Sequence, residues 1–357
     1  MINPKILVTG ATGKTGGVVV RELIAAGYPV RAMVRIEDAR SSALQGLGAE
    51  IAVADFTDPE SVARAMKGVR RAYYLPPFDA AALYGATVFA TAAKDAGLEH
   101  VVLMSQWLAS PTHPALSTRQ HWLTDRLFAM IPNAGLTIIN PGLFADMPYM
   151  TLMPYAAHLG LYPWMFGEGR NAPPSVDDIA RVAAAALMRP DQHAGKIYRP
   201  TGPELIGRRE VIATMTRVLG RSVHAMPMPH WMFLKAAKLD GLPIQLLSSL
   251  EYYFAEHKLG TFEAGAPTDH VREVTGRVPE SFEAVAKRHS LLPENRRTAA
   301  NFAKRFAKFM AVPLVPKPRL SSYLKGLHMP QPDRALLAIN SEIWRAEHGG
   351  APSQGSK

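Results

Sequence analysis

The sequence predicts an α/β protein: a doubly wound parallel sheet, a smaller C-terminal lobe and a basic C-terminal extension. Three observations carry the prediction. Apolar runs of strand length alternate with helical patterns from Lys5 to Gly142, the rhythm of a parallel sheet covered on both faces. Glycines 10, 13 and 16 fall between the first strand and the first helix. Charge is uneven, because residues 291–357 hold eleven Lys/Arg against four Asp/Glu, which is +7 of the chain's net +10.

The first strand is the apolar run Lys5-Ile6-Leu7-Val8, and Val18, Val19, Leu23 and Ile24 then recur at helical spacing. Between them, Gly10, Gly13 and Gly16 keep the spacing G-x-x-G-x-x-G. Glycines in that context allow a tight turn and let backbone N–H groups approach a pyrophosphate at a helix N-terminus. The stretch also contains Gly13-Lys14-Thr15, the last letters of a triphosphate-gripping loop. That motif needs glycine at position 8, where this chain has Val8. The loop therefore reads as a dinucleotide site.

The second strand, "YPVRAMVR", ends at Arg35, nineteen residues past Gly16. A site preferring NAD would place Asp or Glu near here, to accept from the ribose 2′-OH. Arg35 offers a forked cation for a 2′-phosphate instead, with Lys14 and Arg31 as helpers. The implied cofactor is NADP(H).

The rhythm then continues. "AEIAVADFTDPESVARAMKGV" reads as a strand, a turn at Asp55-Phe56 and a helix opened by Asp58-Pro59. "RRAYYLPP" is a strand stopped by Pro76-Pro77, and residues 80–96 form an alanine-rich helix ended by Gly97. "HVVLMSQ" and "GLTIINPG" are strands, with a helix over 117–131 between them. Ligands of such sheets sit at the carboxyl ends of the strands. Asp55-Phe56, Leu75-Pro76-Pro77, Ser105-Gln106 and Asn140-Pro141-Gly142 should therefore line the cleft.

Composition sets further bounds. Hydrophobic residues at 48% and charged residues at 20% suit a globular protein with a real core. The absence of cysteine excludes disulfides, thiolate catalysis and Cys-ligated metals. No His-Glu-x-x-His or clustered carboxylates point to a metal, and no Gly-x-Ser-x-Gly elbow points to a hydrolase. The first 290 residues are nearly balanced in charge, which argues against nucleic-acid binding by the main body. No signal peptide and no run of about 20 apolar residues is evident, so the expected location is cytoplasmic with no integral membrane segment.

The segments "VTGATGKTGG", "VADFTDPESVARAMKGV", "TIINPGLF", "SVDDIARVAAAAL", "IYRPTGPE" and "TDHVREVTGRVPESFEAVAKRH" together resemble the NmrA-like group of atypical short-chain dehydrogenase/reductases. The likeness runs over residues 3–290 and is nearest to bacterial NAD(P)H-binding reductases similar to quinone and triphenylmethane reductases. It implies a Rossmann-type core (1–146), a substrate lobe interleaved with the last core elements (147–290), and leaves 291–357 as an extension. By this resemblance Thr12, Gly13, Lys14 and Thr15 hold the pyrophosphate, Arg35 takes the 2′-phosphate, and Asp55 and Phe56 flank the adenine. Leu75 to Pro77 pass the adenine-side ribose, and Ser105 and Pro141 to Phe144 approach the nicotinamide.

The departures from the family pattern concern chemistry. Classical members carry Tyr-x-x-x-Lys, in which lysine lowers the tyrosine pKa for proton exchange. None of the eleven tyrosines here has lysine four residues on. The matching helix reads "HWLTDRLF", so His121 and Asp125 resemble the His-x-x-x-Glu of the NmrA-like group, with Asp in place of Glu. Asn140 stands where relatives usually carry arginine. Spaced i, i+4, Asp125 either orients His121 and raises its pKa as a proton donor, or the two form a structural pair. Ser105 either polarises a carbonyl or caps a turn. Gln106 and Tyr74 read as structural, and His113, between prolines, as a solvated loop residue.

Residues 147–170 and 226–257 are rich in Met, Tyr, Trp and Phe. Beyond ordinary core, such side chains suit a flat apolar or aromatic ligand. In the extension, Phe302, Phe306, Phe309 and Met310 form one helical stripe with Lys304, Arg305 and Lys308 elsewhere. That stripe docks on its own protein, on a second subunit, or on a partner or membrane surface. "VPLVPKPRL" reads as extended, "DRALLAINSEIWRAE" as a final helix, and the last eight residues as disordered. Two function classes follow. One is an NADPH-dependent reductase acting on a conjugated, electron-poor acceptor. The other is a non-catalytic NADP(H) sensor working through a protein partner.

Overall fold

A computed structural model describes residues 3–349. The last eight residues, 350–357, read from sequence as disordered, lie outside them. Six parallel strands follow the predicted rhythm: β1 (Ile6–Val8), β2 (Val30–Val34), β3 (Glu50–Val53), β4 (Arg71–Tyr74), β5 (His100–Met104) and β6 (Gly135–Ile139). β7 (Leu161–Trp164) and β9 (His224–Pro227) pair as a separate parallel ribbon, while β8 (Ile197–Tyr198) joins the main sheet beside β6. The main sheet has seven strands in the order β3-β2-β1-β4-β5-β6-β8. The direction of winding reverses between β1 and β4, where doubly wound sheets hold their ligands.

Alternation along β1 shows how the layers form. Ile6 and Val8 enter a core with the Lys14–Ala25 and Val176–Met188 helices. Leu7 enters the opposite core, with the Pro59–Met66, Ala82–Asp95 and Leu116–Phe128 helices. Small residues let the first pair of helices pack closely: Gly16 and Gly17 on one and a run of buried alanines on the other. Local signals set the boundaries. Asp58 accepts from Glu60 N at 3.1 Å ahead of Pro59, and Ser175 accepts from Asp178 N at 3.0 Å. Gly97 turns the chain out of its helix at φ +66°.

The lobe has its own aromatic core, including Tyr149, Tyr162, Trp164, Phe166, Phe254 and Phe262. Trp107 and Leu108, from the loop after β5, belong to it as well. So do Leu320, Ala338 and Trp344 of the extension. The extension is thus packed into the lobe rather than set apart from it. Its final helix is short, as the sequence suggests, covering Glu342–Glu347 after a single turn at Ala338–Asn340. Among the described residues no helix is long and apolar enough to cross a membrane.

Candidate functional site

The glycine loop sits at the carboxyl end of β1, at the switch point. Gly10 adopts φ +59°, and a Cβ there would lie 2.9 Å from Leu75 Cδ2. A Cβ on Gly16 would lie 2.3 Å from the Gly10 carbonyl oxygen, and one on Gly13 would lie 3.0 Å from it. Gly10 is thus required by its backbone angle, and Gly13 and Gly16 by the room each leaves against the Gly10 carbonyl. The helix that follows begins after Gly13 with no side-chain cap and no acidic residue in its first turn. Its leading N–H groups are left for an anion. Thr12 is half-buried, Lys14 exposed and Thr15 buried. Thr9 Oγ1 accepts from Leu75 N at 2.9 Å and ties the ends of β1 and β4 together.

Arg35 is exposed at the end of β2, with no ion pair among the described residues. Its charge reaches Asp55, whose carboxylate accepts from Thr57 N at 2.8 Å and Thr57 Oγ1 at 2.7 Å. Those two bonds, with a smaller part from Arg35, hold the Asp55 pKa below its usual value. Phe56 is half-buried, edge-on to Tyr74 at 5.3 Å and to Phe89 at 6.4 Å, and pressed over Gly85. Arg31, read as a helper of Arg35, is committed elsewhere. It is buried, donates to the Ala65 and Lys67 carbonyls at 2.7 Å each, and pairs with Glu50 at 2.8 Å.

Just past the carboxyl end of β5, Ser105 Oγ meets Asp125 Oδ2 at 2.9 Å. Asp125 is 5% exposed, and its Oδ1 has no partner among the described residues. Burial pushes its pKa up to about 8, against the opposing effect of the Ser105 bond. The His121–Asp125 pairing read from the i, i+4 spacing is not formed. His121 Nδ1 faces its own helix at the Ser117 carbonyl, 2.8 Å away. Burial lowers the His121 pKa rather than an aspartate raising it. Spacing brought the two residues to one flank of the helix, but Asp125 turns into the end of β5.

Gln106 is held on both sides, donating to the Ser117 carbonyl at 3.5 Å and accepting from the Tyr253 hydroxyl. Tyr74 is buried among Phe56, Phe89 and Phe128, and burial raises its pKa. His113 is not solvated: it is fully buried, 3.2 Å from Glu256 Oε1, and accepts from Ala115 N at 3.0 Å. Pro76 and Pro141 are buried, and Leu75 and Phe144 half-buried against the core beneath β1. Asn140 is 4% exposed, and its Oδ1 has no partner among the described residues. Sequence reading missed Thr9 and Tyr253. Thr9 stands beside the glycines at the strand end, a usable signal. Tyr253 reaches Gln106 across 147 residues and has none.

Known proteins share this architecture. The NmrA-like family model matches residues 3–122. An NAD(P)H azoreductase from Xenophilus azovorans is 30% identical over 290 residues, covering 80% of this chain and 98% of that protein. An NADPH-dependent quinone oxidoreductase from Escherichia coli, solved with NADPH, superposes with a TM-score of 0.70 at 23% identity, over 79% of this chain and 99% of that one. The Citrobacter sp. triphenylmethane reductase solved with NADP(H) gives 0.68 at 22% identity, over 80% and 99%. The matched segment spans the glycine loop, β1 to β5 and the start of the helix that carries Asp125, and with a relative matched almost end to end the chain belongs to the NmrA-like family.

Proposed function

We propose that the protein is an NADPH-dependent reductase that passes hydride to a conjugated, electron-poor small molecule of the quinone, enone, azo or dye-like type. The observation that carries this reading is the uncapped helix N-terminus in its glycine cradle, with Arg35 exposed at the end of the neighbouring strand. The residues present fit the dinucleotide. A cradle with no room for a Cβ lets a pyrophosphate reach the N–H groups of Thr12, Lys14 and Thr15, the Gly13 N–H being bonded to the Gly10 carbonyl. Arg35 would fork onto the 2′-phosphate. Phe56, fixed by its ring contacts, and Asp55, kept ionised, would flank the adenine. Leu75 and Pro76 would pass the ribose, and Ser105, Pro141 and Phe144 would wall the nicotinamide end.

When bound, the nicotinamide supplies the hydride. The chain's own part is to supply one proton. Ser105 Oγ donates to Asp125 Oδ2, and Asp125, whose pKa burial raises to about 8, can in its protonated form donate back to Ser105 Oγ. The Ser105 hydroxyl is then turned to donate to the oxygen or nitrogen of the reduced acceptor. The proton lost from Ser105 is replaced by Asp125, and that of Asp125 by water. Acceptors whose reduced anions are delocalised need little acid help, which agrees with the missing Tyr-x-x-x-Lys pair. The same missing pair favours a second reading, an NADP(H) sensor acting through a protein partner.

The test is NADPH fluorescence followed over time with purified protein and a panel of quinones, enones, azo compounds and cationic dyes. Decay that requires both protein and acceptor supports the reductase. Binding without decay across the panel moves the reading to the sensor. No binding of NADPH would sink both.

A further inference from the structure

The Ala299–Ala311 helix rests on the lobe by one side only. Asn301, Arg305, Lys308 and Phe309 are its half-buried residues facing the protein. Arg305 lies 4.7 Å over the Tyr155 ring, Phe309 meets the same ring edge-on at 6.4 Å, and Lys308 pairs with Asp240. The opposite side is apolar and uncovered. Phe302, Phe306 and Met310 are 47, 48 and 55% exposed, and Leu314, just past the helix, is 84% exposed. The stripe continues onto a second element. Lys235 Nζ bonds the Pro313 carbonyl at 2.8 Å and lies 5.4 Å from the ring of Trp231, itself 44% exposed.

The border of this face is cationic. Arg296 and Arg297 precede the helix, and Lys317 and Arg319 follow Leu314. All four are exposed, and none is in an ion pair among the described residues. A second copy of the chain would bring the same cations against them, from a protein already at +10. An anionic bilayer surface instead satisfies both parts: acyl chains and glycerol region for the phenyl, methionine and leucine side chains, headgroup phosphates for the basic border. A tryptophan at the rim suits that interface.

We propose that the outward face of the Ala299–Ala311 helix, with Leu314 and Trp231, is a docking surface for an anionic lipid membrane. The protein lies on the bilayer by this face and does not span it.

The test is co-sedimentation of the full chain with vesicles of equal parts phosphatidylcholine and phosphatidylglycerol, and with pure phosphatidylcholine. The proposal expects binding to the mixed vesicles, weaker by about tenfold or more on neutral ones and falling as salt rises. Phe306→Glu with Leu314→Glu should cut partitioning by about tenfold or more at an unchanged melting temperature. Should that variant fail to fold, Lys317→Glu with Arg319→Glu gives the electrostatic arm of the same test. Equal partitioning onto neutral and anionic vesicles, or wild-type partitioning by folded variants, overturns the proposal. So does a lipid-free dimer that the Phe306→Glu, Leu314→Glu variant dissociates, which would assign the face to a second copy.

Discussion

The indole N–H of Trp344 donates to the carbonyl of Trp107 at 2.6 Å. Trp107 is two residues past Ser105, and Trp344 is fully buried near the end of the described chain. His348 stacks on Trp344 at 4.0 Å and approaches Trp107 at 5.2 Å. Neighbouring ties fall on the helix that carries Asp125. Arg126 pairs with Glu347 at 2.8 Å, and Arg119 donates to the Pro330 carbonyl at 3.1 Å. Ala338 N donates to the buried Glu256 carboxylate, which His113 also meets. The extension thus braces the loop after β5 and the helix that carries Asp125.

Trp344→Ala should therefore act as a core truncation, costing about 3–5 kcal/mol. Trp231→Ala, at a half-open surface site, should cost about 1 kcal/mol or less. Urea unfolding of the two variants beside the parent measures both. A Trp344 cost as small as that of Trp231 would mean the extension is only loosely applied.

Arg35→Glu tests the cofactor preference. Loss of a charge-assisted fork and its replacement by a like charge should weaken NADPH on the order of a hundredfold, or about 3 kcal/mol. NADH, which lacks the 2′-phosphate, should bind almost as before. Fluorescence titration with both nucleotides decides it, and equal losses would remove Arg35 from that role.

Gly16→Ala tests the cradle. The new Cβ would stand 2.3 Å from a backbone oxygen and 2.8 Å from its carbon, and backbone cannot move aside as a flexible side chain can. NADPH affinity should fall by more than about tenfold as the loop is displaced from the helix N-terminus. Gly46→Ala, where nothing lies within 4 Å, should leave affinity intact and stabilise the helix by up to about 1 kcal/mol. Calorimetry of NADPH binding to the two variants makes the comparison.

What was legible in the sequence was local. Ile6 to Val8, the glycines and Val18 to Ile24 lie within nineteen consecutive residues and announce strand, loop and helix by spacing alone. The stripe of Phe302, Phe306 and Met310 was legible for the same reason, but Phe309, which spacing put on the same stripe, turns to Tyr155 of the lobe. Distant partners were not. The i, i+4 rule put His121 beside Asp125 but carries no information about which way either turns, and Ser105 took the carboxylate from twenty residues away. Prolines beside His113 suggested solvent, while Glu256, 143 residues on, buries it. Arg31 looked available until Glu50 on the adjacent strand came into register with it. Nothing near Trp344 announces Trp107.

Asp125 gives the sharpest test of the proton pathway, because burial pushes its pKa up to about 8 from its usual value of 3.8. Between those values the folded protein holds a proton that the unfolded chain has released. The stabilisation is complete below about pH 4 and is lost as pH rises through about 8, at roughly 1.4 kcal/mol per pH unit inside the window. Asp125→Asn stays neutral throughout, so it should gain stability over the parent at about pH 8 relative to about pH 5. Urea melts at both pH values measure this. With an acceptor that needs the proton, parent turnover should fall as pH passes about 8, and the variant should be slow and without that limb. Glu347→Gln should move the limb to lower pH, because Glu347 raises the Asp125 pKa while Arg126, its ion-pair partner, lowers it. His121→Ala should leave the limb in place, since His121 bonds its own helix. A limb that follows His121 and ignores Asp125 and Glu347 would return the proton to the imidazole.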